Sequence, residues 1–221
     1  MSSQLDWRRV HDFWFPVDLS RSGIAAHWEM MAWWLHGGVQ AELPPFAPLV
    51  HAARSGQLDH WRATPPGRLS LIIVLDQFPR SLFAGTPQAY SSDQDALGMA
   101  EEGFGNGHYD DLTSPYEKFF YLLPLVHAEG PDHGVRMKRV VAIAERALDE
   151  APAALKPVWL FSLNQARTRF DIISRFGRFP HRNPVLGRPS TPQELTYLAK
   201  DDFVHTRSLP TSASSAISAI G

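Results

Sequence analysis

The chain has 221 residues, with a formal net charge of −2, 44% hydrophobic and 20% charged residues. That length supports one substantial core, and the near-neutral charge argues against a polyanion-binding task, so nucleic acid is not an expected partner. There is no cysteine, which excludes disulfides and cysteine-ligated metal centres and suits a reducing cytoplasm.

In chain order, helical periodicity and helix punctuation dominate. Trp7, Val10, His11 and Trp14 share one helical face that Pro16 ends. The opening residues carry no apolar run of signal-peptide length. Ile24 to Leu35 is a broad apolar stripe stopping at Gly37-Gly38, and Pro48 to Arg54 reads as a helix closing at Gly56. Pro65-Pro66 opens a very apolar segment through Leu75, which Pro79 bends or ends. Its core, Leu69 to Leu75, is far too short to span a bilayer, so no membrane partner is expected. Gly103, Gly105 and Gly107 alternate in what reads as a flexible turn after a helix. Ser114-Pro115-Tyr116-Glu117 has the pattern of a capping box, followed by a helix that Pro124 kinks or stops. Val135 to Leu148 and Pro157 to Phe176 are further helices, the latter capped by Gly177. Thr191-Pro192-Gln193-Glu194 repeats the capping-box pattern before a short last helix.

No window alternates with period two between hairpin turns, so the expected fold is all-α, with six to nine helices in helix-on-helix layers. The many Trp and Phe residues are expected to line the core. Gly56-Gln57-Leu58-Asp59 and Gly107-His108-Tyr109-Asp110 echo one another and hint at stacked helical hairpins. The expected organisation is one helical domain over residues 1–200. Residues 201–221, Ser-, Ala- and Thr-rich from Leu209 onward, read as a flexible tail.

Three polar clusters interrupt apolar surroundings. Asp76-Gln77-Phe78-Pro79-Arg80 fits two readings equally: an ion-paired helix C-terminus, or an acid and a guanidinium presented to a cavity. His127-Ala128-Glu129 lacks any specific metal-ligand spacing, so no metal is expected. A histidine bonded to a carboxylate, for structure or proton transfer, is the better reading. Asn164, Arg167, Asp171 and Arg175 share a helical face, a pattern that surface ion pairs also produce. The run Arg175 to Asn183, through Arg178, Phe179, Pro180, His181 and Arg182, interleaves basic and aromatic residues, which suits arginine forks clamping a carboxylate or phosphate. No nucleophile elbow, phosphate loop or dinucleotide fingerprint is present.

Leu75-Asp76-Gln77-Phe78-Pro79-Arg80 and Arg175 to Asn183 resemble a bacterial family catalogued as domain of unknown function 924. Further segments in matching order extend the resemblance over roughly residues 8 to 200: Gly56 to Trp61, Gly85-Thr86-Pro87, Leu123 to Glu129 and Gly187 to Glu194. The resemblance implies a tetratricopeptide-like helical fold and no reaction. Asp76, Arg80, His127, Glu129, Asp171, Arg175, Arg178, His181 and Arg182 keep the family's pattern. Val126, Ala128, Gly130 and Arg169 depart from it, standing where the family usually has an acid, Ser, Asp and His.

The expected function is binding of a small anionic ligand, with acid–base chemistry upon it. Catalytic candidates are Asp76, His127, Glu129 and His181. Ligand-binding candidates are Gln77, Arg80, Asp171, Arg175, Arg178, Arg182 and Asn183. The Asp76–Arg80 and Arg175–Asn183 segments are expected to converge with His127 and Glu129 on one pocket. The alternative is a peptide- or protein-interaction module without catalysis.

Overall fold

A computed structural model describes residues 6–35 and 37–200. The expected flexible tail, residues 201–221, lies outside the described residues. Among the described residues ten α-helices follow one another, several of them joined by short 3-10 turns: α1 (Trp7–Trp14), α2 (Ile24–Leu35), α3 (Ala47–Arg54), α4 (Pro65–Leu82), α5 (Asp93–Gly105), α6 (His108–Asp111), α7 (Pro115–His127), α8 (His133–Glu150), α9 (Lys156–Phe176) and α10 (Pro192–Leu198). Among the described residues there is no strand, so the fold is all-α. None of the described helices is long and apolar enough to cross a membrane.

Contacts gather the chain into two compact units. The first holds α1 and α3 to α7, the second α2 and α8 to α10.

In the first unit α4 is the central element, contacting α1, α3, α5 and α7. Leu69, Leu71, Ile72, Ile73, Val74, Leu75 and Phe78 are all buried, which requires neighbours on every side of the helix. Thr64 caps it by accepting the Gly67 N–H, and Pro65-Pro66 occupy the first turn, where a missing N–H costs nothing. Large rings fill the space beside it: Trp14 lies 5.8 Å from Phe78 and 5.4 Å, edge-on, from Phe120.

Of the two outcomes the sequence leaves open at each internal proline, a bend or an end, the end does not occur. Pro79 lies inside α4, which continues to Leu82, and Pro124 lies inside α7, which continues to His127. Each proline forfeits one backbone hydrogen bond, yet both rings are buried, and the surrounding apolar contacts outweigh that local loss. The continuation matters for the site, because it makes His127 the last residue of a helix.

The alternating glycines are a second correction. Gly103 and Gly105 belong to α5 rather than a flexible turn, and only Gly107 takes a left-handed conformation, at φ +84°. Gly103 is buried because the Tyr121 hydroxyl occupies the place its Cβ would need. The helix count also exceeds expectation, since α5 and α6 lack a strong apolar stripe to announce them.

In the second unit, α8 and α9 form a hairpin. Five residues separate them, so they run antiparallel, and Arg167 of α9 donates to Glu145 of α8 at 2.8 Å. The rings of Trp28 on α2 and Phe161 on α9 meet edge-on at 5.8 Å. Gly177, at φ +70°, ends α9 with its N–H on the Ile173 carbonyl, a conformation a side chain would strain. The Thr191–Glu194 capping box forms in full. The one at Ser114 does not: the helix starts there, but Ser114 makes no side-chain cap, and Glu117 is 2.9 Å from Nε2 of His11 on α1 instead.

Candidate functional site

Asp76, Gln77, Arg80 and His127 come together in the first unit. Asp76 and Arg80 are one helical turn apart on α4, so they share a face, and Arg80 Nη2 donates to Asp76 Oδ1 at 3.1 Å. Gln77 Nε2 donates to the other carboxylate oxygen, Oδ2. His127 arrives from 51 residues away, at the end of α7, with Nδ1 2.9 Å from both Asp76 oxygens. Asp76 is 1% exposed and the His127 side chain 15%, so the imidazole lies between a buried acid and the surface.

Burial alone would push the Asp76 carboxyl up. The His127 and Arg80 charges and their hydrogen bonds outweigh it and hold the group well below the ordinary carboxylate range. An ionised Asp76 is an acceptor only, so the proton of the shared hydrogen bond sits on His127 Nδ1. Arg80 carries a second carboxylate: Nη2 also donates to Asp93, in the first turn of α5, and the guanidinium lies 5.5 Å from the Tyr90 ring. Burial pushes the guanidinium pKa down, and the Asp76 and Asp93 charges raise it by more, so Arg80 stays a cation. Both of its carboxylates sit on one nitrogen. Its Nε is buried without an acceptor among the described residues, as is the hydroxyl of Ser92.

The second unit gathers Glu129, Arg178, His181, Arg182 and Asn183. Glu129 accepts the Phe179 N–H at 2.7 Å and a guanidinium fork from Arg188. Burial raises its carboxyl, but the Arg188 and Phe179 hydrogen bonds and the Arg182 charge bring it below the ordinary value. Arg188 also donates to the Phe179 carbonyl at 3.1 Å and to Asn183 Oδ1 at 3.0 Å. Asn183, fully buried, donates to Ser190 at 3.0 Å and to Glu194 at 3.3 Å. Arg178 holds Glu194 with two bonds, at 2.7 and 2.9 Å, and also the Pro189 carbonyl at 2.9 Å. The Arg178 hydrogen bond leads the causes that bring the Glu194 carboxyl down to about 2. Arg182 is 4% exposed, its guanidinium 4.7 Å from the Phe179 ring, and His181 meets the same ring at 5.5 Å. These bonds tie residues 178–183 to 188–194.

Asp171 and Arg175 are exposed on α9, Arg175 against the Phe176 ring at 4.7 Å. Among the departures from the family pattern, Val126 and Ala128 are buried, where an apolar or small side chain fits. Arg169 donates to Gln165 at 3.2 Å. Asp93, Arg188 and the ion-pairing role of Glu194 escape sequence reasoning. Each pairs with a residue at a separation that has no helical spacing, and Glu194 is legible only as a helix cap. Among the described residues no three His, Asp or Glu side chains converge in a way that could hold a metal ion.

The sequence profile of a family described as bacterial protein of unknown function, DUF924, matches residues 10–202. No curated protein matches the chain. A solved structure of a protein of unknown function from Agrobacterium tumefaciens is 31% identical, with a TM-score of 0.61 over 88% of this chain and 97% of that one.

Proposed function

The chain belongs to the bacterial family of unknown function DUF924, and we propose that it binds a small anionic molecule and transfers a proton at His127. The observation that carries this reading is the contact of His127 Nδ1 with both oxygens of buried, ionised Asp76. That contact fixes the tautomer and leaves Nε2 as the basic nitrogen. When Nε2 takes a proton from a substrate, the imidazolium forms against a carboxylate already held by Arg80 and Gln77, so little reorganisation is needed. The reverse step returns the proton from the same nitrogen. Asp76 orients and stabilises. His127 does the transfer.

The preference for an anion rests on Arg80. Its buried Nε is a cationic donor with no acceptor among the described residues, and a ligand carboxylate or phosphate oxygen would supply one. Glu129, Arg178 and Asn183 are engaged with their neighbours, and we assign them to holding residues 178–194 rather than to chemistry. The interaction-module reading has less support. The large apolar side chains exposed among the described residues, Val17, Leu35, Val135 and Leu195, are spread over separate segments.

Thermal melts test the reading. The parent protein and Arg80→Gln are melted with acetate, small dicarboxylates and inorganic phosphate. At least one anion should raise the parent's Tm and leave the variant's unchanged. Equal shifts in both proteins, or none in the parent, overturn it.

A further inference from the structure

Away from Asp76, the first unit contains a second buried cation whose partners form a closed set. Arg68, near the start of α4, has a side chain only 2% exposed. Its Nη1 donates to the Met99 carbonyl of α5 at 3.1 Å, and its Nη2 to the Arg62 carbonyl and to Glu102 Oε1 of α5, each at 3.1 Å. Its Nε donates to Nδ1 of His108, the first residue of α6, also at 3.1 Å.

A guanidinium has no lone pair to offer, so this bond exists only while Nδ1 is unprotonated and the ring proton is on Nε2. Protonation would turn Nδ1 into a donor facing a donor and set a cation against a buried cation. The charges facing the imidazole do not relieve that conflict. Arg68 opposes a second charge from α4. Glu102 of α5 favours it but is half-exposed, and is shared with Arg68 and with Arg62 at 3.7 Å. Asp111, on α6 itself, also favours it. Tyr121 of α7, beside Arg68, has a buried hydroxyl with no partner among the described residues.

We infer that His108 is a pH-sensitive latch: its neutral ring docks α6 onto Arg68, and its protonation in mild acid releases α6 from α4. Burial, then the Arg68 charge, hold the imidazole below its ordinary value of 6.5, in keeping with this geometry. A group depressed on folding contributes stability that is complete above its unfolded value and is lost as pH falls through the folded one. The latch therefore opens below neutrality.

The test compares the parent with His108→Asn, whose amide oxygen can accept from Arg68 Nε without titrating. Amide hydrogen exchange across residues 106–112 is followed from pH 8 to pH 5, corrected for intrinsic exchange. The opening equilibrium of the parent should rise about tenfold with loss of one charge-assisted bond, and that of the variant should stay flat. An equal response in both proteins overturns the latch. NMR titration of the parent needs no variant: His108 should titrate below the ordinary histidine value of 6.5, and a value at or above it overturns the latch equally.

Discussion

At the scale of single residues, the chain treats buried charge in two ways. Asp76 is ionised inside the first unit because Arg80, Gln77 and His127 all donate to it. Replacing it with Asn leaves His127 without its ionised acceptor and Arg80 with Asp93 as its remaining carboxylate, and should cost on the order of 3 kcal/mol in urea unfolding at neutral pH. The difference has a sign in pH. The folded carboxyl is depressed, so Asp76 contributes stability above the ordinary Asp range, and the parent's advantage over Asp76→Asn should shrink as pH falls through and below that range. Arg178 illustrates the other use of charge. It pairs with buried Glu194, so Arg178→Ala should lower Tm while leaving any anion-induced shift intact. An unchanged melt with a lost anion shift would move Arg178 into the binding site.

At the scale of elements, the helix ends separate caps that form from caps that only have the right letters. Thr191→Ala should cost about 1 kcal/mol, because its side chain accepts the Glu194 N–H. Ser114→Ala should cost a few tenths of that, since Ser114 makes no such bond and Glu117 faces His11. Equal losses in urea unfolding would show that the Ser114 box closes in solution. The pairing of α4 with α5 is braced at both ends, by Arg68–Glu102 and Arg80–Asp93, an antiparallel arrangement. Between α5 and α7, Gly103→Ala would drive a methyl into the Tyr121 hydroxyl at a cost of about 1–3 kcal/mol. Tyr121→Phe, which removes that hydroxyl, should recover part of the loss in the double variant. Additive losses would contradict the contact.

At the scale of the whole molecule, the perturbed histidines and carboxylates point in one direction. His27 and His108 are both depressed by burial, and Asp76, Glu129 and Glu194 are depressed by their partners. Each loses its contribution as pH falls. Unfolding free energy should therefore decline first below the ordinary histidine value and again below the ordinary carboxylate range. Stability that rises between pH 7 and pH 5 would contradict this. What the sequence makes legible follows the same logic of local against distant causes. The limits of α2 and the end of α9 at Gly177 are written in apolar spacing and glycine, which act locally. The continuation of α4 through Pro79 and of α7 through Pro124 is not, because distant neighbours supply the compensating contacts. Asp76 and His127 stand out as polar residues in apolar runs, whereas Asp93 and Arg188 acquire their roles only once the chain folds back on itself.

The most direct test of the account is nitrogen-resolved NMR of the His127 ring in the parent protein. It should show the proton on Nδ1 at every pH from 5 to about 9, with Nε2 the nitrogen that titrates. In Asp76→Asn that preference should weaken or disappear. A neutral His127 carrying its proton on Nε2 in the parent would contradict the claim that Asp76 orients it for proton transfer.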